Sequence, residues 1–314
     1  MEFKSLKSVY FVGAGGIGMS AIARYFLSKD IYVAGYDRTP THLTQQLVAE
    51  GANIHYDENI DLIPLECRDN KTTLVIYTAA IPETHKELAY FRGNGFTIEK
   101  RAQVLGELTR TAKGLCIAGT HGKTTTSAIT AHLLKESHVD CTAFLGGISK
   151  NYGTNLLLSK TSPYIVIEAD EFDRSFHWLR PYMSVITATD ADHLDIYGTY
   201  EAYLESFAHY TELIQPGGAL IIHEDLQLKP RVQAGVRTFT YSRDKGDFHG
   251  VVVAQTQGCG IGLTLTLGWE NVVTILSRGS VFPSFNLSSR AQWIGFYAPS
   301  AALYEAECME GKRI

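Results

Sequence analysis

The stretch Leu115–Thr126, LCIAGTHGKTTT, decides the fold of this chain. Its apolar start predicts a short buried strand, and a helix is expected to open at Lys123. Gly119 and Gly122 lie between these elements and lack Cβ atoms, so the backbone N–H groups of the turn can close around a phosphate. Lys123 adds a positive charge, and the start of the helix adds a partial positive charge of its own. The stretch therefore predicts a phosphate-binding loop between a strand and a helix.

This loop is a shortened form of the common nucleotide-binding P-loop. The general pattern places a glycine at position 117, where this chain has Ile117. Thr124 follows the lysine and supplies the hydroxyl that ligates Mg²⁺ in such loops. An ordinary glycine turn before a helix is the alternative, but the order of strand, glycines, lysine, threonine and helix favours a nucleotide site.

The composition is that of an ordinary globular protein. The 314 residues suggest about two domains, and 45% hydrophobic with 19% charged residues is enough to build real cores. The net charge of −5 gives no basic surplus that would indicate nucleic acid as a partner. The five cysteines are scattered and form no CxxC pair, which fits reduced thiols. Without a signal peptide or an apolar run near the ~20 residues that span a bilayer, we expect a cytoplasmic protein with no membrane insertion.

A second glycine loop lies near the N-terminus, between the predicted strand Ser8–Val12 and a helical pattern over Met19–Leu27. Its sequence GAGGIG, residues 13–18, satisfies GxGxxG, and the next predicted strand, Tyr32–Tyr36, ends at Asp37, ~20 residues on. Such a βαβ unit presents a helix N-terminus to a diphosphate. NAD is the obvious ligand, another nucleotide diphosphate presents the same group, and a purely structural turn is the third possibility.

The first domain continues as alternating helices and strands to about residue 110, where a polar stretch precedes the P-loop strand. The buried strand Leu74–Tyr77 leads into the polar turn Thr78–Pro82 at its carboxyl end, where ligands bind in open α/β sheets. Arg101 stands at a strand-to-helix junction, either to meet a substrate phosphate or as a solvated arginine. The pattern predicts an α/β domain with a parallel sheet.

Two further strands of the second domain end in groups that suit a metal ion. Tyr164–Glu168 ends in an acidic run at Glu168, and a carboxylate at this position beside a P-loop strand is where a Mg²⁺-binding acid belongs. Met183–Thr187 is followed by His193, which has a carboxylate two residues to either side. A single loop histidine is weak support for a ligand, but metal sites collect ligands from several strand ends. Beyond Ala219 the pattern is rich in short strands.

Four motifs together resemble the Mur ligase family: YFVGAGGIGMSAIA, AGTHGKTTT, IEADEFDRSF and DADHLDIYG, in the family's order. The resemblance covers about Lys7 to Phe285 and includes the shortened P-loop. It implies a Rossmann-like, parallel-sheet domain over 1–110 that binds a UDP-sugar. It further implies a central P-loop α/β domain with extra β-strands over 111–285, which binds ATP.

The resemblance assigns the first glycine loop to UDP rather than to NAD. On that reading Gly13, Gly15, Gly16 and Gly18 cradle the diphosphate, Asp37 and Thr78 lie near the uridine, and Arg101 and His121 lie near the substrate. The ATP site is implied to comprise Gly119, Thr120, His121, Gly122, Lys123, Thr124 and Thr125. Thr124, Glu168 and His193 are implied to hold Mg²⁺, and Lys123, Glu168 and His193 to be the catalytic residues.

The nearest pattern within the family implies ligation of L-alanine to UDP-N-acetylmuramate with ATP and Mg²⁺, in peptidoglycan precursor synthesis. A ligase that recycles murein tripeptide, an NAD-dependent oxidoreductase and a noncatalytic UDP-sugar-binding remnant are the alternatives. The family's third domain, which binds the amino acid and closes over ATP, is expected to be absent. Residues 286–314 match no family pattern and are expected to be a divergent tail with a helix over Ser300–Gly311, and the chain is expected to turn over weakly or not at all.

Overall fold

The computed structural model describes residues 3–242, 245–256, 260–267, 271–278, 281–288 and 293–295, with side chains up to position 248. Within it the chain forms two compact units. Of the described residues, the N-terminal unit contains 3–112 together with 142–158, and the central unit contains 113–141 and those from 159 onward. The predicted division into 1–110 and 111–285 does not anticipate that residues 142–158 belong to the N-terminal unit. The functions predicted for the two domains stay predictions.

A five-stranded parallel sheet forms the centre of the N-terminal unit, in the order β3-β2-β1-β4-β5. Because β2 and β4 pair with opposite edges of β1, successive strands are added first on one side of β1 and then on the other, and the carboxyl end of β1 is the switch point at which open α/β sheets bind ligands. The strands are β1 (Ser8–Val12), β2 (Tyr32–Tyr36), β3 (Asn53–His55), β4 (Thr73–Tyr77) and β5 (Thr97–Lys100), and the helices are α1 (Ile17–Leu27), α2 (His42–Ala49), α3 (Lys86–Gly93) and α4 (Arg101–Thr111).

Residues 142–158, here called the inserted segment, belong to the N-terminal unit through a buried asparagine. The segment contains an antiparallel pair, β7 (Thr142–Phe144) and β8 (Leu156–Leu157). Asn155 is fully buried, and its Nδ2 donates to the Ile17 carbonyl at 2.6 Å and to Ser20 Oγ at 2.9 Å. Arg24 donates to Asn155 Oδ1. The segment is therefore attached to α1, the helix that follows the first glycine loop.

The central unit is built on a second parallel sheet, whose strands run in the order β12-β11-β10-β6-β9. Its strands are β6 (Lys113–Ala118), β9 (Tyr164–Ala169), β10 (Met183–Ile186), β11 (Ala219–His223) and β12 (Arg237–Ser242), and its helices are α5 (Lys123–Glu136), α6 (Leu194–Tyr197) and α7 (Tyr200–Glu212). Residues Phe172–Trp178 form a 3₁₀ turn after β9. Strand β6 is flanked by β9 and β10, so the carboxyl ends of three neighbouring strands meet at the start of α5.

Beyond β12 the sheet continues as an antiparallel meander. The first added strand pairs parallel to β12, and each later strand pairs antiparallel to the one before it. These strands are β13 (Phe248–Thr256), β14 (Gly260–Leu267), β15 (Asn271–Arg278), β16 (Val281–Ser288) and β17 (Trp293–Gly295). The predicted β-rich end of the second domain is confirmed, and β16 continues past Phe285, where the motif resemblance ends. The helix predicted over Ser300–Gly311 lies outside the described residues.

Local pattern located most elements correctly. Strands β1 and β2 have the predicted bounds, helix α5 begins at the predicted Lys123, and β7 lies within a strand that the pattern predicts over Cys141–Leu145. The pattern predicts the next helix after β4 from Glu83, but α3 begins at Lys86, because Ile81 and His85 close backbone turns first. Strand β8, the turn Phe172–Trp178 and the four-residue α6 were not predicted, because they carry too few residues for a periodic signal. In the part of the chain that the structure describes, no helix is both long and apolar enough to cross a membrane.

A buried polar chain crosses the core of the N-terminal unit. Tyr10 Oη lies 2.7 Å from both His55 Nε2 and Glu87 Oε2, and the Tyr10 and Glu87 side chains are fully buried. His55 Nδ1 lies 2.9 Å from the Asp57 carbonyl, which can only accept, so Nδ1 carries a proton. The Tyr10 hydroxyl donates to Glu87 Oε2. Burial favours the neutral forms of Glu87 and His55, since it raises the pKa of Glu87 to about 7 and lowers the pKa of His55.

Glu87→Gln should alter how the stability of this chain depends on pH. Between pH 4.5 and about 7 the folded state keeps the Glu87 proton that the unfolded chain has released, so wild-type stability falls as pH rises. A pKa shift of this size corresponds to about 3 kcal/mol. The glutamine of the variant cannot ionise, so we expect similar melting temperatures for variant and wild type at pH 5 and a higher one for the variant at pH 8.

Thermal unfolding followed by circular dichroism between pH 5 and pH 8 measures this difference. Glu66→Gln, at an exposed position, is the matched control and should show no such trend. A difference between Glu87→Gln and wild type that does not change with pH would contradict the buried neutral carboxyl.

Candidate functional sites

The predicted P-loop lies between β6 and α5 and has the backbone of a phosphate cradle. Gly119 has φ +126° and Gly122 has φ +82°, both in the region that favours glycine. Gly122 is the N-cap of α5, and the first bond inside the helix runs from Thr126 N–H to the Gly122 carbonyl. The N–H groups of Lys123, Thr124 and Thr125 precede that bond and have no carbonyl partner within the helix. They form the positive end of the helix dipole, as an anion site requires.

The carboxyl end of β10 supports this loop from behind. The Thr187 hydroxyl lies 3.1 Å from the Ala118 carbonyl and 2.5 Å from the His121 carbonyl, so it holds both sides of the turn. Thr120 N–H donates to the Ala188 carbonyl at 3.0 Å, and its hydroxyl donates to the Asp190 carbonyl at 3.0 Å. The loop therefore keeps its shape through backbone and hydroxyl contacts.

Lys123 makes a contact that the sequence motifs did not indicate. Its Nζ lies 2.8 Å from Glu171 Oε2, 2.9 Å from Glu171 Oε1 and 2.8 Å from the Gly119 carbonyl. The Glu171 side chain is 1% exposed, and that of Lys123 is 18% exposed. Glu171 belongs to the acidic run after β9, in which sequence reasoning singled out only Glu168. The charge of the acidic run was visible in the sequence, but its pairing partner was not.

Glu168 and Thr124 lie together, as predicted. Thr124 Oγ1 donates to Glu168 Oε2 at 3.1 Å, and Ser127 Oγ donates to Glu168 Oε1 at 3.0 Å. A hydroxyl and a carboxylate at the mouth of a phosphate loop are the hard oxygen donors that Mg²⁺ prefers. Their chemistry therefore fits the predicted ion. Ser127 is an addition to this cluster, one helical turn after Thr124 on the same face of α5.

His193 and His121 stand in exposed or half-exposed positions. His193 caps α6 with φ +53°, a strained value for a non-glycine residue of the kind that clusters at functional sites. Its ring lies 5.3 Å from that of Phe172, and His121 Nε2 lies 3.8 Å from Asp190 Oδ2. Among the described residues, no group of three or more histidine, cysteine, aspartate or glutamate side chains is placed to hold a metal ion. A metal role for His193 and a substrate role for His121 stay predictions.

The first glycine loop is bordered by the side chains that the sequence assigned to it. Gly15 N–H donates to Asp37 Oδ2 at 2.6 Å. A Cβ atom at Gly13, where φ is +92°, would lie 3.0 Å from Thr78 Cγ2, and one at Gly18 would overlap the Arg101 guanidinium. Asp37, Thr78 and Arg101 come from the carboxyl ends of β2 and β4 and from the start of α4. The Rossmann-like order of the sheet thus brings these three residues to one loop, with Gly16 as the N-cap of α1.

Two family models match this chain, the Mur ligase family catalytic domain over residues 8–113 and the Mur ligase middle domain over residues 117–284. The chain belongs to the Mur ligase family. The matches cover both glycine loops and the strand ends around them. An NAD-dependent oxidoreductase, kept open from GxGxxG alone, is therefore not favoured.

Curated Mur ligases match most of this chain at high identity. The UDP-N-acetylmuramate–L-alanine ligase of Phocaeicola vulgatus is 70% identical over 249 residues, which are 79% of this chain and 54% of that protein. The enzyme with the same name from Parabacteroides distasonis is 61% identical over 242 residues, which are 77% of this chain and 52% of that protein. The chain thus spans about half the length of the curated relatives it matches.

Solved structures confirm the predicted fold class of this Mur ligase. The UDP-N-acetylmuramate-alanine ligase of Thermotoga maritima superimposes with a TM-score of 0.68 at 25% identity, over 88% of this chain and 60% of that one. The UDP-N-acetylmuramate:L-alanyl-gamma-D-glutamyl-meso-diaminopimelate ligase of Neisseria meningitides gives a TM-score of 0.73 at 21% identity, over 83% of this chain and 84% of that one. The second likeness concerns the fold only.

Gly119→Ala should deform the P-loop. The added Cβ would overlap Thr187 Oγ1, lie 2.8 Å from the Ala188 nitrogen, and force an alanine to φ +126°. We expect destabilisation of about 2 kcal/mol or more and loss of binding to inorganic tripolyphosphate, measured by chemical denaturation and by calorimetric titration.

Gly217→Ala is the matched control for this variant. Gly217 also has a positive φ, of +82°, but a Cβ there would have nothing within 4 Å. It should therefore cost only the backbone strain of about 1 kcal/mol and leave tripolyphosphate binding intact. Equal effects of the two variants would mean that contact with the end of β10 does not shape the loop.

Proposed function

We propose that this Mur ligase chain takes part in the ATP-dependent joining of L-alanine to the lactyl carboxylate of UDP-N-acetylmuramate. The observation that carries the proposal is the cluster at the start of α5. There Lys123, Thr124 and the N–H groups of the first turn face the same loop mouth as the carboxylate of Glu168. These groups suit phosphoryl transfer, a reaction that needs positioning and charge neutralisation more than a protein nucleophile.

The proposed reaction proceeds in two steps, phosphoryl transfer and amide formation. The lactyl carboxylate attacks the γ-phosphorus of ATP. The bond between this phosphorus and the oxygen that bridges the β- and γ-phosphates breaks, and ADP leaves with the electron pair of that bond. The product is an acyl phosphate, whose phosphate is a good leaving group. The amine of L-alanine then attacks the acyl carbon, an amide bond forms, and inorganic phosphate departs as the amine loses a proton.

Lys123 and the N–H groups of α5 are proposed to take the negative charge that builds up on the phosphates. Mg²⁺, when bound, would neutralise phosphate charge, and Thr124 and Glu168 are the described residues whose oxygen atoms suit it. His193 is proposed as a further ligand. Thr120, His121, Gly122 and Thr125 complete the proposed ATP contacts, and His121 is also assigned to the substrate.

The first glycine loop is proposed to bind the diphosphate of the UDP-sugar. Gly13, Gly15, Gly16 and Gly18 allow close approach of the backbone, and Arg101 brings a guanidinium next to Gly18. Asp37 and Thr78 border the same loop and are proposed to contact the uridine. The loop itself would suit NAD equally well, so the choice of UDP rests on the identity with the curated alanine ligases.

The choice of L-alanine rests on the names of those relatives as well. A ligase for recycled murein tripeptide shares this fold and is the closest alternative. Because the chain spans about half of each relative, the activity is proposed for the whole protein. A cytoplasmic location, where these nucleotide substrates are available, is part of the proposal.

The first experiment is calorimetric titration of the chain with UDP-N-acetylmuramate and, in parallel, with NADH. We expect binding of the UDP-sugar and no binding of NADH. Arg101→Met should weaken UDP-sugar binding by about tenfold or more, because a charge-assisted contact to the diphosphate is lost.

Arg110→Met is the control, since Arg110 lies on the last turn of the same helix and pairs with Glu107 at 2.6 Å. It should leave the affinity unchanged. Binding of NADH in place of the UDP-sugar would refute the assignment of the first loop.

A further inference from the structure

Glu171 is the charged group nearest to the phosphate-binding lysine, and the proposed reaction gives it no role. Both of its carboxylate oxygens lie within 2.9 Å of Lys123 Nζ, and its side chain is 1% exposed. A carboxylate so far removed from water is expensive unless it is paired with a cation. Lys123 is that cation, and its Nζ lies within hydrogen-bond distance of both carboxylate oxygens.

The ammonium group of Lys123 is already directed at acceptors of the protein. A lysine ammonium has three N–H groups. The described contacts of Lys123 Nζ are the two oxygens of the Glu171 carboxylate and the carbonyl of Gly119. A phosphate oxygen that approaches this lysine therefore competes with Glu171 for its positive charge and its N–H groups.

Glu171 is held in place by its own backbone. The Tyr197 hydroxyl donates to the Glu171 carbonyl at 2.5 Å, and Arg174 N–H donates to the same oxygen at 3.0 Å. Tyr197 is buried and packs edge-on against Tyr203 with ring centroids 4.9 Å apart. The long lysine side chain has more freedom than this anchored glutamate, so exchange should occur by movement of Lys123.

We propose that Glu171 is a positioning residue that occupies Lys123 in place of a phosphate while the P-loop holds no nucleotide. Its two oxygens accept hydrogen bonds from the lysine in place of the phosphate oxygens of ATP, and ATP binding replaces at least one of these contacts. Glu171 thereby keeps the ammonium group at the loop mouth and also competes with the nucleotide for it. This inference rests on the proposed binding of ATP at the P-loop.

A competing internal anion lowers the affinity for the external one. Part of the free energy gained when Lys123 meets phosphate is offset by the contact that Glu171 loses. Removing the charge of Glu171 should therefore lower the folding stability of the nucleotide-free protein and raise its affinity for ATP. An ordinary structural role for Glu171 predicts a loss of stability without a gain in affinity.

The test is a double-mutant cycle on the full 314-residue chain, with Glu171→Gln, Lys123→Met and the double variant. The measurements are calorimetric titration with ATP and Mg²⁺, repeated with inorganic tripolyphosphate, and thermal unfolding without ligand. We expect Glu171→Gln to bind both ligands about three- to tenfold more tightly than wild type and to melt at a lower temperature. In the Lys123→Met background the same change should leave affinity unaltered, because the lysine through which it acts is gone.

Two further variants keep the result interpretable. Glu171→Asp retains the charge but is one methylene shorter, so we expect one oxygen to reach Lys123 and the gain in affinity to be smaller. It also serves if Glu171→Gln does not fold. Glu201→Gln, at an exposed position on α7, should leave the affinity unchanged.

The outcomes separate this inference from the proposed function. If wild type binds ATP and Lys123→Met weakens that binding, but Glu171→Gln binds equally or more weakly, the inference is wrong and the P-loop assignment stands. A gain in affinity that persists without Lys123 also overturns it. If wild type and every variant fail to bind ATP, the proposed function fails and the inference falls with it.

Discussion

Both glycine loops depend on one constraint, which is that the first turn of a helix leaves its N–H groups without carbonyl partners. At α5 these groups follow a left-handed Gly122, and the loop before them is held by the end of β10 through Thr187. At α1 the loop before the N-cap Gly16 is held by the carboxylate of Asp37, which accepts from the Gly15 N–H. Each unit thus places polar groups from neighbouring strand ends around a helix start. The parallel order of the two sheets brings those strand ends together, which is why loops of different spacing have a similar surrounding of polar groups.

The fold and the positions of most candidate site residues could be predicted from the sequence, because both depend on local patterns of apolar residues and glycines. Apolar runs gave β1, β2 and β6, and glycine spacing gave both loops. Residues such as Asp37, Thr78 and Arg101 could be placed because the ends of parallel strands share one edge of a sheet. The position of Glu168 near the P-loop could be predicted for the same reason, since the strand that carries it pairs directly with the P-loop strand.

Pairings between distant side chains could not be predicted in this way. Glu171 stands three positions after Glu168 and looks equivalent in sequence, but only the turn of the chain after β9 sends it to Lys123. Asn155 bonds to groups on α1 that lie 135 and 138 positions earlier, and nothing in its neighbourhood signals this. The relay of Tyr10, His55 and Glu87 is of the same kind, because it joins β1, β3 and α3. Such contacts depend on the packed tertiary structure rather than on periodicity or motif spacing.

Because of the inserted segment, neither structural unit of this protein corresponds to one continuous stretch of sequence. The chain passes between the two units three times, after residues 112, 141 and 158, rather than once through a single linker. A gene fragment that ends at the first crossing would remove Asn155 and with it the hydrogen bonds that Arg24 Nη1 and the carbonyl of Ile17 make to this residue. Neither unit can therefore be exchanged as one continuous block of sequence. Recombination between relatives would have to carry residues 142–158 together with the helix they bind, which ties the inheritance of the two glycine loops together.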